Sequence, residues 1–400
     1  MLRLSLALFL VQAGFHGFTA SIPLALARAG RPDAEIGAIV GTASLVQIPA
    51  ALVAGALVDR FGGMRLFVVG GLAYLGATLF LLLPGLDPST SSVPFVLARI
   101  LQGVGFGMTL PSTLSIIPRL VPAARRGVAL ATAGASHNLT LVVLPPLSIV
   151  VLDRYGLEGV AALVAALVAA SFLVAFIRPI RPLPSADEVL GTARRKFGFA
   201  YRRSWAAPLA IVVLFVVHWG VITAYLPQRA DAAGADIGLF FAADGLSIIL
   251  ARIPAGWLSD RVPGAWQVLT GLAMTAGGVL LVLLPLSTPL LVLAGFLTGA
   301  GAALIVTPLM LALTKRSSDA DRGSAFALFS ASLALAIALG SIGTAPLIER
   351  LGFEVLLIAT LLAIALAALV ALADRDLRAR PVPHAGESAP ESAGATSIGS

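Results

Sequence analysis

Charged side chains of opposite sign stand inside long apolar runs of this sequence. Arg99 lies in a run at about 93–117, and Asp244 lies in a run at about 236–258. A charge deep inside an apolar segment is costly, so each is a candidate functional group. A carboxylate can carry a proton, which is the role Asp244 suggests, although it could simply pair with a neighbouring helix. Arg99 could instead extend towards polar surroundings, and Arg252 is expected to pair with Asp260 or a helix end.

Further polar and aromatic residues lie in the same kind of run. Imidazole titrates near neutral pH, and amides and ring N–H or O–H groups can hydrogen-bond a solute. The mixture suits a moderately amphipathic organic molecule better than a sugar, which needs more amides, or a phosphate, which needs several cations. The candidate cavity residues are Gln12, His16, Gln47, Gln102, His137, Asn138, His218, Trp219 and Tyr225.

Signatures of other chemistries are missing from the sequence. There is no cysteine, no His-Glu-x-x-His or Gly-x-Ser-x-Gly run, and no Gly-x-x-x-x-Gly-Lys-Ser/Thr loop. Ser136 and His137 are adjacent, but neighbouring residues do not face each other on a helix. No metal or cofactor is expected. An intramembrane enzyme, or a permease subunit of a nucleotide-driven pump, remains the weaker alternative.

The elements that position these residues must be membrane helices. Of the 400 residues, 58% are hydrophobic and only 12% are charged, too few to cover a soluble domain. A helix needs about 20 apolar residues to cross a bilayer. The sequence predicts an all-α membrane protein with twelve such runs, at about 4–27, 36–58, 64–84, 93–117, 127–152, 157–178, 206–228, 236–258, 265–286, 288–313, 323–346 and 353–373.

The distribution of Lys and Arg predicts the orientation of these runs. With both termini in the cytoplasm, twenty basic residues fall inside and five outside, while the acidic residues divide almost evenly. This bias accounts for the net charge of +7 without a nucleic-acid partner. The prediction is a multi-pass protein of a bacterial-style inner (plasma) membrane.

The apolar runs form two groups of six. The sequence predicts an N-terminal bundle at 1–178, a cytoplasmic linker at 179–205, a C-terminal bundle at 206–373 and a disordered cytoplasmic tail at 374–400. The linker is basic, and the tail is rich in Pro, Ala, Ser and Gly with no apolar period.

The two groups are an internal repeat. Residues 34–60 align without a gap with residues 235–261, and residues 97–156 align with residues 293–352. Charged loop residues match as well as apolar ones, which chance similarity between apolar segments does not explain. Because each half has six spans, both copies have the same orientation, so the repeat is parallel about an axis along the membrane normal. Neither Arg99, opposite Gly295, nor Asp244, opposite Ala43, has a charged counterpart.

Two motifs inside this repeat resemble those of the major facilitator superfamily. The loop after the second span, Gly55-Ala-Leu-Val-Asp59-Arg60-Phe-Gly62, is similar to the family's G-x-L-a-D-R-x-G signature. The second copy, Gly256-Trp-Leu-Ser-Asp260-Arg261, departs from it after the arginine. In the fourth span, Arg99-Ile-Leu-Gln102-Gly-Val-Gly-Phe-Gly resembles the family's R-x-x-q-G-x-g-x-g helix motif.

The resemblance covers about residues 1–375 and implies two pseudo-symmetric six-helix bundles. It implies a conformational latch of Gly55, Asp59, Arg60, Gly62, Gly256, Asp260 and Arg261, whose glycines would let another helix approach. It further implies proton coupling through Arg99, with Asp244 as the nearby acid, and a cavity lined by the first and seventh spans.

The expected function is secondary active transport of a small organic solute by alternating access, as proton-coupled efflux by a monomer. Proton-coupled uptake is the alternative, because the family's antiporter signature in the fifth span keeps only its proline. The expected partners are the solute, protons and the lipid bilayer.

Overall fold

A computed structural model describes residues 2–83, 87–122, 125–177, 201–318 and 321–379. Residues 179–200 of the predicted linker (179–205) and residues 380–400 of the predicted tail (374–400) lie outside the described residues. The described part is built from helices α1 to α14, which are Leu2–His16, Ser21–Arg28, Asp33–Phe61, Gly63–Leu81, Val93–Ile116, Arg126–Phe176, Ala206–Ala232, Ile237–Ser259, Gly264–Val282, Thr288–Lys315, Arg322–Ser341, Ala345–Leu351, Phe353–Ala373 and Arg375–Arg378.

Twelve membrane spans are formed by these helices, in two pseudo-symmetric bundles of six. Eleven helical segments of the described residues are long and apolar enough to cross a membrane. Helix α6 supplies two spans, because Gly156 interrupts it with a non-helical backbone at φ 66° and ψ −171°. Large apolar side chains such as Leu79 and Leu362 remain exposed, as lipid-facing side chains do. The predicted all-α membrane fold is confirmed.

The repeat predicted from the sequence is visible in the backbone. Gly352, aligned with Gly156, has φ 82° and separates α12 from α13 at the equivalent bend. Both values lie in the left-handed region, which glycine adopts without steric cost. The matched glycines of the two copies therefore mark the same turn between the last two spans of each half.

Close helix crossings repeat in the same way. A Cβ added at Gly103 of α5 would meet the carbonyl oxygen of Ala43 on α3, and one at Gly299 of α10 would meet that of Asp244 on α8. Small residues let membrane helices approach at backbone distance. The same helix crossing therefore occurs once in each half, but only the copy in the second half has a carboxylate, that of Asp244, at the crossing point.

Two predicted spans are broken rather than continuous. The first span consists of α1 and α2, separated by residues 17–20, and the eleventh consists of α11 and α12, separated by residues 342–344. The break in the first span falls directly after His16, the last residue of α1. It brings the candidate histidine to the end of a helix near the middle of the span.

The two halves meet where α3 packs against α7, α11 and α12, where α6 packs against α8, and where α2 packs against α7. We call the end of the molecule that carries Arg28, Asp153 and Asp231 the outer face, following the orientation predicted from charge, and the opposite end the inner face. Cavity residues of both halves lie between these faces.

Residues at the predicted domain borders are structured on the inner face. Trp205, at the end of the predicted linker, is fully buried, and its Nε1 donates a hydrogen bond to the Arg316 carbonyl at 3.2 Å. Residues 374–379, assigned from the sequence to the tail, include helix α14, because the Asp374 side chain caps its first turn. Asp374 also forms an ion pair with Arg316 at 2.6 Å.

Candidate functional site

A hydrogen-bond network around Gln12 joins four helices of the first half. The Gln12 Oε1 accepts hydrogen bonds from the Tyr74 hydroxyl at 3.2 Å and from the Thr109 Oγ1 at 3.1 Å. Its Nε2 is 3.0 Å from the His137 Nδ1. Because Gln12 is completely buried, these bonds fix its amide and hold the His137 ring in one orientation.

Two histidines and two phenylalanines pack together beside this network. The His16 and His137 ring centroids are 5.3 Å apart, and Phe106 lies 6.4 Å from the first and 5.7 Å from the second. Phe15 packs on Phe106 at 4.8 Å. Phe15, Phe106 and His137 are only half-buried, so the cluster has a partly open side. We call His16, Arg99, Gln102, Phe106, His137 and Asn138 the first-half cluster.

Arg99 is part of this cluster and is buried, with only 2% of its surface exposed. Its Nη1 donates to the Gln102 Oε1 at 3.0 Å, and its Nη2 donates to the Phe18 carbonyl at 3.4 Å. Both partners are neutral. Within the described ranges, no carboxylate forms an ion pair with Arg99, so its charge is not compensated by the protein.

Asp244 lies in the second half, in contact with a different set of residues. It is 3% exposed, and its Oδ1 accepts a hydrogen bond from the Thr298 Oγ1 at 2.9 Å. Among the described residues, no hydrogen bond or ion pair joins Arg99 to Asp244. Arg99 bonds within its own bundle, to Gln102 of α5 and to Phe18 between α1 and α2, while Asp244 bonds to Thr298 of α10.

The other predicted cavity residues do not join the first-half cluster. The His218 Nδ1 bonds to the Phe215 carbonyl of its own helix, and Trp219 packs on Phe240 and Phe241 at 6.3 and 5.7 Å. The Tyr225 hydroxyl donates to the Ser341 carbonyl at 3.0 Å, near the outer face. Gln47 is half-buried and makes no hydrogen bond within the part of the chain the structure covers.

Two residues that sequence reasoning missed, Tyr74 and Thr109, belong with the cluster because they position Gln12. Arg252, for which the sequence predicted pairing with Asp260 or a helix end, lies against the backbone of Gly134 on α6. Arg252 is in no ion pair among the described residues, so the expected pairing with Asp260 is wrong. Thr109 follows Gln102 by seven residues, on the same helical face, which is the signal available in the sequence.

The latch residues are apart from the other half in this conformation. In the described residues, no heavy atom comes within 4 Å of a Cβ added at Gly55, Gly62 or Gly256. The close helix approach expected at these glycines is therefore not present here. The Asp59 side chain lies outside the described part of the structure.

The basic latch residues pack on their own helices. The Arg60 guanidinium stands 5.1 Å from the Phe61 ring centroid, and that of Arg261 stands 4.0 Å from the Trp257 centroid. Asp260 is exposed and ends α8. Each copy of the motif therefore keeps its arginine within its own half.

Ion pairs cross between the halves at the outer face. Arg28 binds Asp231 through two bonds of 2.7 and 3.1 Å and also binds Asp153 at 2.7 Å. In the reverse sense, Asp33 of the first half accepts from Arg229 at 2.6 Å and from Gln228 at 3.2 Å. Four elements, α2, α3, α6 and α7, are thereby tied together at this end.

Known transporters resemble this chain in sequence. A family model described as Major Facilitator Superfamily matches residues 4–236 and 211–398. The chain is 29% identical over 263 residues to Monocarboxylate transporter 13 of Bos taurus, covering 64% of this chain and 60% of that protein. It is 30% identical over 292 residues to a probable 4-methylmuconolactone transporter of Cupriavidus pinatubonensis, covering 68% and 65% respectively.

A third relative, the probable nitrate/nitrite transporter NarK2 of Mycobacterium tuberculosis, is 29% identical over 61% of this chain and 62% of its own length. The chain thus matches less than two thirds of the length of each of these relatives. Among solved structures, a POT family transporter in complex with 5-aminolevulinic acid has a TM-score of 0.73 at 14% identity, covering 93% of this chain and 94% of that one. This likeness concerns the fold.

Proposed function

Because the chain belongs to the major facilitator superfamily and is a secondary transporter of that kind, we propose that it exports a small organic solute in exchange for protons. The observation that carries the proposal is the buried polar cluster of the first half, in a molecule whose two halves are joined by ion pairs at the outer face. Relatives named for monocarboxylates, for nitrate or nitrite and for 4-methylmuconolactone support a small solute as cargo.

Asp244 is the proposed proton carrier. Among the described residues, it is the buried carboxylate that lies well inside a span, and one hydroxyl hydrogen bond from Thr298 is compatible with either protonation state. Arg99 contributes by a separate route, through the first-half cluster, since no hydrogen bond or ion pair in the described part of the chain joins the two groups. The coupling we propose therefore runs through the change of conformation rather than through a direct ion pair.

Export is favoured over uptake by the position of Arg252. This exposed guanidinium stands against Gly134, towards the inner face from His137, where it can attract a solute entering from the cytoplasm. Proton-coupled uptake is the second candidate, because only a proline of the antiporter signature is present in the fifth span.

We place the protein in an inner (plasma) membrane, as a monomer with both termini in the cytoplasm. The support is the bias of basic residues and the ion pairs that close the outer face. Since the chain has no native cysteine, single cysteines at Ser91 and Ser317 can report the orientation. They should react with impermeant reagents from opposite sides, Ser317 from the cytoplasm; reaction of both from one side would contradict the orientation.

Proton movement reports the transport mode whichever solute is carried. The purified protein is reconstituted into liposomes with an entrapped pH dye, and solutes from a metabolite library are added outside without a pH gradient. Downhill entry of a solute in exchange for protons should make the lumen alkaline, whereas cotransport should acidify it. Protein-free liposomes control for passive permeation of weak acids.

The decisive variant is Asp244→Asn, with Glu158→Gln, an exposed carboxylate at the outer face, as its matched control. Asp244→Asn should abolish solute-dependent proton movement, and the control should behave as the wild type. Full proton movement in Asp244→Asn would remove it as the carrier and favour His16 or His218. If solute entry through the wild-type protein acidifies the lumen, the proposal of export is wrong and proton-coupled uptake takes its place.

A further inference from the structure

The first-half cluster holds buried hydrogen-bond donors that the protein leaves without partners. Within the described residues these are the Arg99 Nε, the Gln102 Nε2, the Asn138 Nδ2 and both ring nitrogens of His16, of which one is a donor in the neutral ring. Buried donors are normally satisfied, so each calls for an explanation such as water or a bound group.

The unpaired atoms of Arg99, Gln102 and His16 belong to one site rather than to scattered positions. Arg99 and Gln102 are one turn apart on α5 and hydrogen-bonded, and Phe106 on the next turn reaches the rings of His16 and His137. Asn138 follows His137 directly. Unpaired buried atoms of Ser5 and Arg31 lie elsewhere, at opposite ends of the bundle.

The second half does not repeat this arrangement. Its buried polar side chains, such as His218, Gln267 and Thr275, bond to main-chain carbonyls, and its one unpaired buried atom within the described part is an acceptor, the Gln228 Oε1. Among the described residues, the unused hydrogen-bonding capacity inside the membrane is therefore concentrated in the first half, and it consists mostly of donors.

Unpaired N–H donors favour a bound group that accepts hydrogen bonds and carries negative charge. Arg99 is a buried cation whose partners are two neutral oxygens. An oxyanion would neutralise Arg99 and accept hydrogen bonds from the unused N–H groups, whereas the Arg99 charge would repel an ammonium group, for which the cluster offers one unpaired acceptor, a ring nitrogen of neutral His16. Arg252 of the other half lies against Gly134 on α6.

We propose that the first-half cluster binds the carboxylate of a small monoanionic organic acid, with Arg99 and the amide of Gln102 as its donors. The half-buried rings of Phe15 and Phe106 accommodate the apolar body of the acid. The single positive charge of the buried Arg99 guanidinium would be balanced by the single negative charge of one carboxylate, which is why we propose a monoanion. This inference rests on the proposed transport function, since it names the class of solute carried.

Binding of simple acids to the purified, full-length protein tests the inference independently of transport. The probes are benzoate, phenylacetate and butyrate, each compared with its neutral amide and with an amine of the same skeleton. At least one carboxylate should raise the midpoint of thermal unfolding, and above its Kd the rise should grow with the logarithm of its concentration, because a ligand of the folded state stabilises it. The matched amide and amine should have no effect.

Variants then locate the bound acid. Arg99→Gln should raise the apparent Kd by about tenfold or more, since it removes a charge-assisted hydrogen bond. Arg154→Gln, an exposed arginine of the same half, is the matched control and should bind as the wild type. If Arg99→Gln does not fold, Gln102→Leu removes the neighbouring donor and should weaken binding several-fold.

The outcomes separate this inference from the proposed function. No shift with any carboxylate, equal shifts with the amides, or unchanged binding in the variants would each overturn it. Carboxylate binding that depends on Arg99, without any solute-coupled proton movement, would support the site and remove the transport proposal. Proton-coupled movement of a neutral or cationic solute, with no carboxylate binding, would do the reverse.

Discussion

The boundary between the two halves is built differently at its two ends. At the outer face, the Arg28–Asp231 and Asp33–Arg229 pairs cross it, and a Cβ at Gly41 would collide with the side chains of Ser341 and Ile342. At the inner face, the ion pairs Arg202–Asp321, Arg316–Asp374 and Arg316–Asp376 do not cross to the first half.

The same helices participate at both ends, so the difference reports a conformation rather than a different fold. Helix α3 is packed against the second half near Gly41, while Gly55, fourteen residues further on, has free space around its Cβ position. Exposed ion pairs contribute only about 0.2–1 kcal/mol each. The outer contacts are therefore weak enough to break and reform, as alternating access requires.

The largest expected effect concerns the inner end. Asp59→Asn should lower the transport rate about tenfold or more, because a charge used to close the inner face contributes on the order of 1.4 kcal/mol to the balance of states. Asp260→Asn should have a smaller effect on the transport rate, because the second copy of the motif lacks the x-Gly that follows the arginine in the first copy. Solute-dependent proton flux measures both; wild-type flux in Asp59→Asn at normal expression would leave that residue without a role in switching.

A second prediction concerns the pair at the inner face. Burial opposes ionisation of Asp374, but hydrogen bonds from Arg316 and the main chain outweigh it, so the pKa of Asp374 lies below its ordinary value. Its stabilisation is then complete above about pH 4 and is lost as the pH falls further.

Asp374→Asn should therefore reduce the free energy of unfolding by about 1–2 kcal/mol at pH 7, between the values for exposed and buried pairs. The difference from the wild type should shrink below pH 4. Asp376→Asn is the matched control, because that side chain is 75% exposed and should change little. Thermal unfolding at the two pH values is the measurement, and a difference that does not depend on pH would refute the ion-pair account.

The same substitution at two points of one helix compares the two ends directly. Gly41→Ala places a methyl group against Ser341 and Ile342 and should cost about 1 kcal/mol through overpacking. Gly55→Ala meets open space and should stabilise the helix by up to about 1 kcal/mol. Thermal unfolding of the two variants measures both; equal effects would mean that the two ends do not differ in packing.

The smallest expected effect concerns the outer ion pairs. Asp33→Asn removes the charge that binds Arg229, so the outer end should open about twofold to fivefold more often, consistent with a loss below 1 kcal/mol. A cysteine at the buried Ser341 reports this opening through its reaction with an impermeant maleimide added outside. An unchanged rate would show that Asp33 does not hold the outer face closed.

Much of the fold could be predicted from the sequence, because a bilayer leaves few options for a long apolar segment. Span number and repeat are readable from hydropathy and from Asp-Arg and Arg-Gly matches in the loops. The helix breaks after His16 and at residues 342–344 could not be predicted from the sequence, because hydropathy shows one continuous apolar run across each of them.

Individual residues of the site could be predicted from the sequence, but their positions relative to one another could not. Charge inside a span identifies Arg99 and Asp244, yet their separation depends on how α5 and α8 are rotated, which hydropathy does not encode. Tyr74 and Thr109 look like ordinary span residues, and only packing shows that they hold Gln12. The pairing expected for Arg252 is wrong because its side chain reaches α6 of the other half, a contact that no local pattern encodes.

Cross-linking of the outer face tests the central claim, alternating access, most directly. Cysteines at Asp33 and Arg229 replace one ion pair in a chain without native cysteine, and a bifunctional thiol reagent joins them. Solute-coupled proton flux is measured against the cross-linked fraction. We predict that flux falls in proportion to cross-linking and returns when a cleavable linker is cut, while either single cysteine is unaffected. Undiminished flux in fully cross-linked protein would contradict the account, because the solute would then cross without the outer ends separating.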